Sequence, residues 1–371
     1  MRFGLGLLLS LTACTSSIGE PIVDLGVTHD GGATADLGAR LDAGPLDQGG
    51  APDQGIDAGP GQEDLGVHPD AAEPDAAFDA GPSGTPVLVA VGYGNRRTRT
   101  LDGVTWGDDQ VVDPNGGDDN NLLRGVGFGD GRFVAVGGGG EGQSWVSDDG
   151  QTWHHHVTAL RAFVSDAVYG NGRWVAAGGN GLRLYSIDRG ESWAGDPGYY
   201  AGHFRGLSFG NGVFVAAGHR YGDSTDGLTA VSSDGEVWEV LEHDGLLGFS
   251  GVTFGNGVFV ATGRGGRLSV SVDGRSWDEI NLGGTSYDAP TFTAGEFLVP
   301  SAEGLWRGVD GRNFVRIDGF VPGGIVQAFG EFRGVSWQSQ RWATPTLGMA
   351  WVRTHGDDGP AFTELIVGWV P

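Results

Sequence analysis

The side chains best suited to chemistry fall between the apolar runs of the chain. They are Arg96, Arg97, the run His154-His155-His156, Tyr199, Tyr200, His203, His219, Arg220 and Tyr221. Guanidinium, imidazole and phenol groups in such connections suit stacking on sugars and hydrogen bonding to anionic groups. These residues form the candidate ligand-binding set. A metal centre is not expected, because adjacent side chains on a strand point to opposite faces and His154 to His156 cannot all reach one ion. His203 and His219 remain a pair that neighbouring connections could bring together. No Gly-x-Ser-x-Gly elbow, phosphate-binding loop or His-Glu-x-x-His motif is found, so no catalytic residue is assigned and no cofactor is expected.

A repeat positions these groups. The decapeptide at 128–137, Phe-Gly-Asp-Gly-Arg-Phe-Val-Ala-Val-Gly, returns at 169–178, 209–218 and 254–263, with weaker copies at 292–299 and 329–335. Asp-Gly or Asn-Gly between β-rich runs supplies the positive φ angles of a tight hairpin, so each copy reads as strand A, turn, strand B. A second motif follows each hairpin: Ser147-Asp148-Asp149-Gly150-Gln151-Thr152-Trp153, then related segments at 186–193, 232–238 and 271–277. Degenerate versions stand at 100–106, 310–314 and 358–362, giving seven units about 40 residues apart, roughly one four-stranded blade each.

This second motif resembles the Asp-box, or BNR, repeat of sialidase-like propellers. The copy Ser186-Ile187-Asp188-Arg189-Gly190-Glu191-Ser192-Trp193 has the family's full spacing, and the other strong copies are one residue shorter before the glycine. The resemblance implies an all-β fold, a β-propeller of four-stranded antiparallel blades. Seven blades are expected, with a six-bladed ring plus an irregular extension as the alternative. Asp102, Asp149, Asp188, Asp234, Asp273 and Asp310 are read as structural turn carboxylates, and Trp153, Trp193, Trp238 and Trp277 as aromatics packed between sheets. The first unit lacks its own strand A, and 367–371 are the expected donor.

In a propeller, A–B and C–D connections share one face, and B–C and D–A connections share the other. The second set reads as long and varied, at 93–97, 107–123, 154–162, 194–203, 219–228 and 239–247, and a ligand is expected on that face. Sialidase-like hydrolysis is the enzymatic alternative to a noncatalytic binding or scaffold role. The family's Arg-Ile-Pro signature is missing, since Arg316-Ile317 is followed by Asp318. The expected partner is a glycan or a protein of the cell envelope, and a monomer is expected.

Residues 1–13 read as a signal peptide, with Arg2 ahead of a short apolar stretch. Leu11-Thr12-Ala13-Cys14 resembles the bacterial lipobox, which implies lipidation of Cys14 and attachment to a membrane. Thr15, rather than Asp, follows the cysteine, favouring the outer membrane over the inner. Residues 14–84 should be a disordered linker: from Glu20 to Pro82 fourteen acidic residues face Arg40 alone, and Phe78 is the sole aromatic. The propeller is assigned to 85–371. The net charge of -25 argues against nucleic acid as a partner. Replacing Cys14 with Ser should release the protein from membranes. Continued partition of the processed variant into detergent would refute the anchor.

Overall fold

The computed structural model describes residues 84–116, 119–157, 162–198, 202–221, 226–284 and 286–371. The signal segment, Cys14 and the acidic linker lie outside these residues, as do Tyr199 and Tyr200.

Seven four-stranded antiparallel sheets succeed one another along the chain. Lettered A to D from the axis outward, the strands of blade 2 are Leu123–Gly129, Arg132–Gly138, Gly142–Ser147 and His154–Val157. The second strand of blades 1 to 6 carries an unbroken apolar run because its sheet is covered on both faces; that of blade 7, Glu331–Ser336, is interrupted by Arg333. Val87 to Val91, Phe133 to Val136 and Phe214 to Ala217 are all fully buried. The seven A strands line an axial channel of about 380 Å³.

The ring closes through the chain's last strand, Phe362–Val370. It pairs antiparallel with Thr85–Gly92, from Thr85 opposite Val370 to Gly92 opposite Phe362, and so supplies strand A of blade 1. The expected closure and the count of seven are both realised.

Turn chemistry joins the blades on the A–B/C–D face. Asn171, Asn211 and Asn256 occupy hairpin turns with φ near +46°, each followed by glycine. Each side chain donates to two carbonyls of the next blade: Asn211 Nδ2 reaches Gly257 O at 3.0 Å and Val272 O at 2.9 Å. In the box after Ser147, Asp149 Oδ1 accepts the N–H groups of Gln151 and Thr152, both at 2.7 Å. Asp102, Asp234, Asp273 and Asp310 make the same pair of bonds. Asp188, in the longer box, accepts from Ser192. The N–H groups of Thr105, Val237 and Asn313 are the leading reason that Asp102, Asp234 and Asp310 titrate below the usual carboxylate range, Asp310 at about 2.

The box glycine serves the neighbouring blade. A Cβ on Gly150 would stand 2.9 Å from Val89, and one on Gly235 or Gly274 only 2.4 Å from Val175 or Val215. The following tryptophan packs on the apolar cluster shared by the two blades, Trp153 on one that includes Val87, Val89 and Phe133, and Trp238 on one that includes Val175 and Phe214.

The seam between blades 7 and 1 is built differently. Gly103 faces Arg333, whose guanidinium donates to Gly103 O, where other boxes face valine. Arg341 lies over the rings of Trp106 and Phe362 at 4.9 and 4.7 Å.

Two expectations are corrected. The segment 358–362 is no C–D turn: it joins the last strand of blade 7, Val352–His355, to the closing strand. The seventh C–D connection is Thr344-Pro345-Thr346-Leu347-Gly348-Met349-Ala350-Trp351, which keeps the eight-residue spacing of the 186–193 box with Thr346 in place of the aspartate. Nor is the B–C set long. Those at 93–95, 264–266 and 337–339 are three-residue turns, and 239–247, read as a D–A connection, is the outer strand of blade 4 throughout.

Truncation after Ala361 should abolish cooperative unfolding and protease resistance by stripping the fully buried Val87–Val91 run of its inner partner. Adding the peptide 362–371 in trans should restore both. A truncated chain that unfolds cooperatively alone would show that closure does not govern folding.

Candidate functional site

On the B–C/D–A face, blades 4 and 5 enclose a cavity of about 460 Å³ lined by His203, Arg205, His219, Arg220, Tyr221, Gly248, Phe249, Ser250 and Arg264. His203 and Arg205 lie on Gly202–Gly210, His219 and Arg220 on Val213–Arg220. The pairing of these strands slips between Phe204 and Gly206, leaving Arg205 as the extra residue of a β-bulge. A bulge residue is freed from ladder pairing and its side chain is re-aimed, here outward into the cavity.

The same slip recurs at one height around the ring. It leaves Arg124 out in blade 2, Ser165 in blade 3, Ser250 in blade 5 and Thr363 in blade 1. These bulge residues crown the channel mouth, and two of them are arginines. Phe163 sits under both, 4.7 Å from the Arg124 guanidinium and 5.9 Å from that of Arg205.

Arg264 enters from the B–C turn of blade 5. Neither Arg205 nor Arg264 has a carboxylate partner among the described residues, whereas Arg220 pairs with Glu242 at 2.8 Å. Burial first, then repulsion by Arg124 and Arg264, lowers the pKa of Arg205. Burial also pushes His203 down to about 4, assisted by Arg205, His219 and Arg124, so its imidazole is neutral at pH 7. His219 shifts down for the same leading reason. The Tyr221 hydroxyl lies 3.1 Å from His203 Nδ1 and donates to Asn180 Oδ1. The cavity thus presents two unpaired guanidinium groups beside neutral imidazoles.

One residue deeper, the channel carries two carboxyls. Asp166 accepts N–H groups from Ala167 at 2.8 Å and from Leu207 of the next blade at 2.9 Å. Burial raises it to about 6. Glu364 is raised well above the carboxylate range by burial and then by Asp166, while accepting from the Val126 N–H.

Of the sequence candidates, His203, His219, Arg220 and Tyr221 come together here. Arg96 and Arg97 do not. Both lie on the strand Arg96–Thr100 at 2 % and 3 % exposure, not in a loop. Arg96 forms ion pairs with Asp109 at 2.6 Å and Asp357 at 2.8 Å. Arg97 stacks 3.7 Å above Trp145, and burial lowers its pKa to about 10. His154 is exposed on the outer strand of blade 2, away from the cavity lining. Arg124, Arg205 and Arg264 were not singled out by sequence. The available signal was that Arg124 and Arg205 both stand four residues before the hairpin aromatics Phe128 and Phe209.

No protein-family model and no curated protein sequence matches this chain. Among solved structures it is similar to YCF48 bound to D1 peptide, at 16% identity and TM-score 0.49 over 78% of this chain and 93% of that one. It is also similar to YCF48 from Cyanidioschyzon merolae, at 14% identity and TM-score 0.48 over 67% and 95%. The WD40 beta propeller domain of Doa1 gives 14% identity and TM-score 0.49 over 67% and 89%. Likeness at this level concerns overall shape alone.

The acid pair sets a pH dependence. Both carboxyls titrate higher in the folded than in the unfolded chain, so folding takes up protons and stability falls as pH rises above about 4, through about 6 in the case of Asp166. Glu364→Gln keeps an acceptor for Val126 and removes one charge. At pH 8 it should stabilise the protein by on the order of 1 kcal/mol, a melting rise of about 2–4 °C. At pH 4 the gain should vanish; equal shifts at both pH values would refute the coupling.

Proposed function

We propose that the chain is a membrane-tethered, noncatalytic binding module whose propeller captures an anionic group at the mouth between blades 4 and 5. The observation carrying this reading is the convergence of Arg205 and Arg264, both without a carboxylate partner among the described residues, in a chain of net charge -25. Like charges held together without counter-charge are costly unless an anion completes them. Arginine recognises carboxylates bidentately, and the flanking rings of Phe249 and Tyr221 offer an apolar wall. The ligand class is a carboxylate borne by an acidic glycan or by an envelope protein. Attachment to the membrane rests on Cys14 and the three residues before it.

An arginine cluster would also serve the diverged sialidase-like hydrolase that remains the second reading. That chemistry needs a tyrosine assisted by a glutamate, whereas the hydroxyl of Tyr221 is engaged by Asn180 and His203. Binding without turnover is therefore favoured.

Titration calorimetry with N-acetylneuraminate, galacturonate and peptides with a free C-terminal carboxylate tests the proposal. Arg205→Ala and Arg264→Ala should each weaken binding about tenfold or more, equivalent to about 1.4 kcal/mol, and added salt should weaken it further. Arg220→Ala should matter little. Failure of every carboxylate to bind, or binding indifferent to both arginines, would overturn the assignment; release of fluorophore from a sialoside would promote the hydrolase.

A further inference from the structure

A second surface on the same face has no part in the arginine pocket. The B–C turn of blade 7, Trp337-Gln338-Ser339, joins Glu331–Ser336 to Gln340–Thr344. It holds Trp337 at 72 % exposure, far more open than the tryptophans of the boxes. Gln338 and Ser339 have φ of 61° and 59°, the left-handed pair of a tight hairpin, though neither is glycine or asparagine. Such a turn needs support.

The support is visible. Ser339 is fully buried and its hydroxyl accepts from Arg96, which is itself clamped by Asp109 and Asp357. Tyr93, from the B–C turn of blade 1, lies beside the indole with ring centroids 5.8 Å apart and planes tilted by 35°. The backbone of Tyr93 is fixed by its N–H bond to Ala361 O at 2.9 Å. Trp337 is thus an exposed aromatic face on an anchored turn, and ordering it costs a ligand little.

Beside this face opens a cleft of about 880 Å³. The turn that presents Trp337 contributes Gln338 to its wall, with Gln340, Arg353, His355, Asp357 and Asp358. No apolar side chain lines it, so it offers nothing to a hydrophobic peptide side chain. Its amide, guanidinium, imidazole and carboxylate groups donate and accept in several directions, with charges of both signs. A neutral ring with one flat C–H face and a rim of hydroxyls matches an aromatic platform beside such a wall.

We propose that the Trp337–Tyr93 platform and the adjoining cleft form a carbohydrate site that stacks a neutral pyranose ring, separate from the anion pocket. Affinity electrophoresis of the full chain through gels containing laminarin, xylan, glucomannan or glycogen tests this. At least one polysaccharide should retard migration. Trp337→Ala should weaken that retardation tenfold or more, Trp337→Tyr should keep it within about threefold, and Gln338→Ala should reduce it. Arg205→Ala should leave it unchanged, so failure of this site and failure of the anion pocket are distinguishable. Because Trp337 is exposed, its alanine variant should melt with the parent, which separates lost binding from lost fold. Absence of retardation by all four polymers, or retardation indifferent to Trp337→Ala, would overturn the proposal.

Discussion

Everything in this ring depends on the pairing of its first and last strands. A blade buries its inner faces only against two neighbours, so an open row of seven sheets would leave one apolar face bare at each end. The ladder between Thr85–Gly92 and Phe362–Val370 removes both ends at once. Sequence separation makes this contact entropically expensive to form, since the whole propeller must be laid down between its two halves. The repetitive turns lower that cost locally: each asparagine and each box fixes the spacing to the next blade before the ring is complete.

With the outer framework fixed by repetition, diversity is left to the opposite rim. The β-bulge gives each of several blades one residue outside the ladder, at the same height above the channel. Arg124 and Arg205 use that freedom to bring positive charge to the mouth, while Ser165, Ser250 and Thr363 leave space between them. The acid pair beneath shows the contrasting case. Asp166 and Glu364 are tied to backbone N–H groups of the adjoining blades and bear on stability through protonation.

The strands, hairpins and boxes were legible in the sequence because their information is local: Asn-Gly fixes a turn, and Asp followed by free N–H groups fixes another. The closing strand was legible from a deficit, the missing strand A of the first unit. The seventh box was misread because Asp358-Gly359 imitates the motif, while the true turn substitutes Thr346 for the aspartate. At the site, His203, His219, Arg220 and Tyr221 were visible as chemistry. Arg96 was equally conspicuous but is consumed by Asp357, 261 residues away, a partner no local pattern reveals. Arg205 escaped notice because a bulge leaves no turn residue to mark it.

The seam between blades 7 and 1 departs from the valine-on-glycine contacts of the five seams from blade 1 to blade 6, and this bears on how the ring knows its own size. Interchangeable seams alone would let a growing row join its ends one blade early or one blade late. Arg333 beneath Gly103, and Arg96 and Arg341 gathered on Asp357, fit only the partner that brings the matching carboxylate and ring faces. Closure on any other blade would part Arg96 from Asp357 and Arg333 from the Gly103 carbonyl, leaving buried guanidinium groups short of partners. The polar seam thus acts as a ward in a lock, admitting one circumference and rejecting its neighbours.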